Sequence, residues 1–250
     1  MIHLLFIRSG SKGNATLIDS GNALIQIDMG VPLKYIREGC SLLGKTLKDI
    51  QGVFYTHNHS DHIKDAHKLR KYCPAYADRE TADWAEHPLY PGVGEQIGDL
   101  LVFPFSVSHD APNPLNFLIY CGDTRVAYIT DTGYLSEENL HLIKDCDYYL
   151  IESNHDIKME RNSGRPRYLI NRVLGEFGHL SNIDSALYMS ELIGPKTKGV
   201  YLGHLSDDCN THEAALETHR RVYEEKGIDW TKLDLRCTSQ QEIILGGDPL

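Results

Sequence analysis

Phe54-Tyr55-Thr56-His57-Asn58-His59-Ser60-Asp61-His62 is the stretch on which the reading of this chain turns. Val53 to Tyr55 is an apolar, aromatic run of strand composition, and four potential metal ligands come after it. In an extended segment alternate side chains share a face, so His57 and His59 converge on one ion. The chain then turns into a helix, where Asp61 and His62 reach a second. Neutral imidazoles and carboxylates suit zinc, manganese or iron.

Four residues cannot complete two sites, so further ligands are expected at other strand ends. His109, Asp131 and His204 each come after an apolar run and stand beside small or polar residues, in Ser108-His109-Asp110, Thr130-Asp131-Thr132-Gly133 and Gly203-His204-Leu205-Ser206. A carboxylate such as Asp131 has two oxygens and can bridge two cations.

Outward from these points, apolar runs and turn signals alternate along the chain. Strands are predicted over 2–7, 15–19, 23–28, 51–56, 101–108, 117–121, 125–130, 147–152, 199–203 and 234–245. Helices are predicted over 32–43, 62–72, 136–143, 168–177, 182–193 and 211–226, the last with Asn210 as N-cap. The polar stretch Asn162–Arg167 reads as a surface loop, and Ser9–Asn14 as a glycine-rich turn. This order suggests an α/β protein with two sheets packed face to face and helices outside, in one domain over residues 1–250.

The 250 residues, 41% hydrophobic and 24% charged, are enough for a sizeable core. With 35 acidic and 25 basic residues the formal charge is −10, which argues against a protein that coats DNA by overall charge. An enzyme with local nucleic-acid contacts is not excluded. No apolar run reaches the roughly 18 residues of a membrane span. The start, Met1 to Arg8, reads as a strand rather than a signal peptide. None of the six cysteines forms a CxxC pair, so reduced thiols and a cytoplasmic location are expected. No membrane partner and no nucleotide cofactor are expected.

The set Asp28, His57-x-His59-x-Asp61-His62, His109, Asp131 and His204 resembles the signature of the metallo-β-lactamase superfamily, across nearly the whole chain. The resemblance implies an αββα four-layer sandwich with two mixed β-sheets and two metals, zinc or manganese, at one sheet edge. It assigns His57, His59, His109 and Asp131 to one metal, and Asp61, His62, Asp131 and His204 to the other. Asp28 would orient ligands from behind. A narrower likeness, carried by Ser9–Asn14, Thr130–Gly133, Glu152-Ser-Asn-His-Asp156, Gly178-His-Leu-Ser-Asn182 and Gly203–Ser206, is to the WalJ/YycJ branch. Glu152 and His179 also match the spacing of catalytic residues in ribonuclease Z.

The resemblance thus implies a dinuclear metal-dependent phosphodiesterase in which a hydroxide shared by two cations attacks the phosphodiester. Asp61 would hold the attacking water. His179 would donate a proton or a hydrogen bond, with Glu152 orienting it. The WalJ/YycJ likeness implies a 5′→3′ exonuclease on DNA. Hydrolysis of small esters, thioesters or cyclic phosphodiesters, and an RNA-processing nuclease, are the alternatives. Arg165 and Arg167 in the polar loop, His155 and Ser206 are candidate substrate contacts. His67, His87, His141, His212 and His219 read as solvated.

Overall fold

The computed structural model describes residues 1–250. The class is α/β, with fourteen strands in two mixed seven-stranded sheets. Contacts divide the chain into two compact units, neither continuous in sequence. The first comprises Met1–Ser106, Ala111–Thr124 and Thr238–Leu250, and the second Val107–Asp110 and Arg125–Cys237. No helix is long and apolar enough to cross a membrane.

In the first unit, β1 (His3–Arg8), β2 (Ala15–Asp19), β3 (Leu24–Ile27), β4 (Gly52–Phe54), β5 (Ala75–Ala77) and β6 (His87–Pro88) lie in that order, with β14 (Ile244–Gly247) outside β1. The β14, β1, β2 and β3 pairings are antiparallel, and those from β3 to β6 are parallel. Strands β2, β3 and β4 are buried along their whole length, and this includes the polar residues Thr16, Asp19 and Gln26. Helix α1 (Leu33–Leu42) buries Ile36, Gly39 and Cys40, spaced three and four apart on one face. They join Ile7, Leu17, Met29, Val53 and Tyr55 in one region of tight packing, of which Ile36 and Cys40 are core members. Strands β7 (Glu95–Ile97), β8 (Leu100–Ser106) and β9 (Leu115–Cys121) form an antiparallel meander.

The helix expected over 62–72 is instead two single turns, α2 (Ser60–Ile63) and α3 (Ala66–Leu69). The loop after β3 interrupts it. Met29 N donates to His62 O at 2.7 Å, and Asp65 N donates to Met29 O at 3.0 Å, so backbone groups that would continue a helix are taken by another segment.

In the second unit, β10 (Thr124–Ile129), β11 (Tyr148–Glu152), β12 (Gly199–Gly203) and β13 (Asp234–Cys237) are parallel neighbours. Their connections carry α4 (Glu137–Ile143), α5 (Ile157–Arg161), α6 (Arg167–Val173), α7 (Asn182–Leu192) and α8 (His212–Glu225). The register pairs Ile129 with Ile151 and Glu152 with Gly203. The residues at the carboxyl ends of these strands therefore emerge together, the usual place for a site in a parallel sheet.

Three further expectations change. Thr211, not Asn210, caps α8, accepting from Ala214 N at 3.0 Å. The Asn210 amide is committed instead to the Ser153 and Asn154 carbonyls and the Asn182 side chain. The strand expected over 234–245 is two strands, β13 and β14, separated by a turn in which Ser239 Oγ accepts from Gln241 N and Glu242 N. His219 is not solvated: it is fully buried on α8, with Nδ1 3.0 Å from the Tyr223 hydroxyl.

Candidate metal centre

In the first unit the motif leaves β4 through Tyr55 and Thr56, and His59 is the N-cap of α2. This geometry gathers the imidazoles: the His57 ring centroid lies 4.6 Å from that of His59 and 4.2 Å from that of His62. Asp28, fully buried after β3, organises them from behind. Its carboxylate accepts from Thr56 N at 2.9 Å and from the Thr56 hydroxyl, and lies 2.7 Å from His62 Nδ1. Burial pushes the Asp28 carboxyl above its ordinary range, against the pull of His62 and the Thr56 donors. The Thr56 hydroxyl donates to Asp28 and lies 3.0 Å from His57 Nδ1, where it can accept.

The Ser9–Asn14 turn has a definite role here. Asn14 Oδ1 accepts from Gly10 N at 2.8 Å, while Nδ2 lies 3.1 Å from Asp61 Oδ2 and 2.9 Å from His62 Nε2. Asn14 N donates to Asp61 O at 2.7 Å, and Gly30 N to Asn14 O at 3.0 Å. At Gly30 the chains pass so closely that a Cβ would stand 1.6 Å from Asp61 O.

In the second unit, Asp131 lies just beyond β10, Glu152 ends β11 and His204 lies just beyond β12. His109 and His179 arrive on loops. Asp131, Glu152, His179 and His204 present donor atoms within 4.8 Å of one another. Glu152, fully buried, is the hub. Its Oε1 lies 2.8 Å from His179 Nδ1 and 2.7 Å from His204 Nδ1, and its Oε2 accepts from Thr132 N and Leu180 N, both at 3.1 Å. Burial alone would raise this carboxyl, but His179 and His204 outweigh it and hold it below the ordinary carboxylate range. His109 has Nδ1 3.1 Å from Gly178 O and Nε2 3.8 Å from Asp131 Oδ1, and burial lowers its imidazole below the ordinary range.

The donor chemistry fits divalent cations. In His57, His62, His109, His179 and His204, Nδ1 faces an oxygen partner. Such a partner keeps the proton on Nδ1 and makes Nε2 the lone-pair nitrogen, the arrangement of metal-ligating imidazoles.

Asp28, Asp131 and His204 share a backbone feature. All three adopt left-handed conformations, with φ of 58°, 51° and 54°. Each lies just beyond the end of a strand, β3, β10 or β12.

The other sequence candidates fare unevenly. Arg165 is spent on carboxylates, with Nη1 3.2 Å from Glu160 Oε2 and Nη2 2.7 Å from Asp208 Oδ2. Arg167 is exposed as the first residue of α6. Ser206 is a buried turn residue, with Oγ accepting from Cys209 N and its own N donating to Asn154 O. His155 is 1% exposed, with Nδ1 3.3 Å from Asn154 Oδ1. Sequence reasoning missed Thr56, Asn14 as a clamp, and Asn154, whose Nδ2 donates to His204 O at 2.8 Å.

Comparison with known proteins identifies the family and the fold. The profile of the family described as "Beta-lactamase superfamily domain" matches residues 16–204. The chain is 35% identical over 240 residues to an exodeoxyribonuclease YycJ of Bacillus anthracis, covering 91% of each. It is 34% identical over 227 residues to an exodeoxyribonuclease WalJ of Streptococcus pneumoniae, covering 85% of this chain and 84% of the relative. Among solved structures, the metallo-β-lactamase fold protein YhfI of Bacillus subtilis superposes with a TM-score of 0.74 at 14% identity, covering 98% of this chain and 99% of that one. The chain therefore belongs to the β-lactamase superfamily, in the family of YycJ and WalJ, and is a metal-dependent hydrolase of the metallo-β-lactamase fold.

Proposed function

We propose that this chain is a nuclease that degrades DNA from the 5′ end, with two divalent ions, zinc or manganese, held by His57, His59, Asp61, His62, His109, Asp131 and His204. When bound, such ions acidify a water and draw in the anionic phosphodiester. The protein's own groups do the rest. Asp28 and Thr56 hold His57 and His62 in one tautomer. The Asp61 carboxylate, 21% exposed, can accept a hydrogen bond from the attacking water. His179, at 13% side-chain exposure, is the reachable proton donor of the second cluster. Glu152 holds His179 at Nδ1, so the donating species is the imidazolium, which carries a second proton on Nε2 for the leaving oxygen.

The observation that carries the reading is the Glu152–His179 pair beside Asp131. A poor alkoxide leaving group needs a proton, and a fixed imidazole at this position supplies one. The names of the YycJ and WalJ relatives point the same way. Six free cysteines are in keeping with a cytoplasmic enzyme.

The test is degradation of end-labelled single-stranded and duplex DNA and RNA, with added zinc or manganese and with chelator. Mononucleotide release from the 5′ end of DNA, abolished by chelator, is the expected result. Cleavage of RNA alone, or of small esters with no attack on nucleic acid, would overturn it.

A further inference from the structure

Phenylalanine is buried at most of its positions in this protein: Phe6, Phe54, Phe105 and Phe117 are at most 5% exposed. Phe177 is 62% exposed, and Tyr134 is 43% exposed. Isolated exposed apolar side chains are common and carry no message. These two are not isolated. Tyr134 lies three residues beyond Asp131, and Phe177 lies two residues before His179.

The two loops that carry them are bound together. A Cβ at Gly133 would stand 2.2 Å from Glu176 O, so the residues preceding the two aromatics are in backbone contact. Gly133 N donates to Ser108 O at 2.9 Å, and Ser108 Oγ donates to Glu176 O at 2.7 Å. The Thr132 hydroxyl donates to Tyr134 O at 2.7 Å, and His109 Nδ1 lies 3.1 Å from Gly178 O. Both aromatics thus stand on hydrogen-bonded loops that also carry Asp131, His109 and His179.

Net charge points the same way. At −10 the chain as a whole does not attract a polyanion, so a grip on the bases adds to the local pull of the metal site on the phosphodiester. Stacking on an aromatic face is such a grip, and it tolerates any sequence because every base has a π-face.

We propose that Phe177 and Tyr134 form a stacking platform for the terminal bases of a single DNA strand, next to the Asp131–His179 cluster. This rests on the nuclease reading and adds to it the part of the substrate that is held: unpaired bases, which duplex DNA must expose by fraying.

The experiment compares wild type with Phe177→Ala, Tyr134→Ala, Phe177→Leu and Phe177→Trp on a single-stranded oligonucleotide. A matched oligonucleotide whose two terminal nucleotides lack bases serves as the control substrate. Each alanine is expected to lower kcat/KM about tenfold on the first substrate. The penalty disappears on the abasic one. Tryptophan restores the loss and leucine does not. Equal losses on both substrates, full rescue by leucine, or no loss in Phe177→Ala would overturn the platform. Fluorescence of a 2-aminopurine-ended oligonucleotide, read in chelator, separates this failure from failure of the nuclease reading. Quenching by wild type that is lost in the double alanine variant supports the platform whether or not DNA is cut, and absence of quenching by wild type overturns it.

Discussion

The Asp28 carboxylate stands 2.7 Å from His62 Nδ1, with both side chains wholly buried. A carboxylate so placed fixes the imidazole tautomer and makes Nε2 a better donor. Asp28→Asn keeps the shape but removes the charge. It is expected to weaken divalent-metal affinity about 10- to 100-fold, measured by competition with a chromophoric chelator. Unchanged affinity would show that His62 needs no such partner.

Gly30 passes against the backbone of Asp61 with no room for a methyl group. Gly30→Ala must push the Asp61–His62 turn away and break the bonds from Met29 N and Asn14 N that hold it. The expected result is a loss of about 1–3 kcal/mol in urea denaturation, together with weaker metal binding. A variant that binds metal as wild type does would mean that the turn adjusts without cost.

His179 is held by Glu152 but is not among the proposed metal ligands. His179→Ala should therefore retain its metal content while kcat on DNA falls about 10²- to 10⁴-fold. Metal content by elemental analysis and single-turnover rates check the two halves separately. Loss of metal in this variant would recast His179 as a ligand.

His219 gives a pH signature. Burial holds its imidazole down at about 3, against an ordinary 6.5. As pH falls through about 6.5 the unfolded chain takes up a proton there and the folded chain does not, so the native state loses stability from that point down to about 3. The slope is at most about 1.4 kcal/mol per pH unit for this one group. Glu152, whose carboxyl is held below its ordinary range by His179 and His204, acts lower, its stabilising contribution being lost as pH falls below the ordinary carboxyl range. His219→Gln, which can still meet the Tyr223 hydroxyl, should flatten the decline in urea midpoint between pH 6.5 and 4.5. Parallel declines for the two proteins would refute the assignment.

Much of this architecture is readable because two simple periodicities dominate it. Fully buried strands such as β11 and β12 are unbroken apolar runs, and the polar residue met at the end of each run, Glu152 or His204, is conspicuous. The His57–His62 motif is likewise local. What the sequence hides is non-local. Nothing near Ser60 announces that Met29 will intercept the backbone and split the expected helix. Asn14, in an ordinary turn signal, reaches Asp61 and His62 only because a sheet brings the turn there. His219 sits at polar-looking helical spacing, yet it is buried because the Ser153–Asn182–Asn210 network gives that face a hydrogen-bonded interior. Arg165 has the chemistry of a phosphate fork, but its carboxylate partners lie five and 43 residues away.

Left-handed backbone at Asp28, Asp131 and His204 sets catalysis against durability. Glycine would relieve about 1 kcal/mol or more of torsional stress at such a position, yet it would remove the group the position exists to present. A lineage that stopped needing the chemistry would be free to soften these three corners first. Glycine appearing at 28, 131 or 204 in a descendant sequence would thus mark a sturdier scaffold that had given up its reaction.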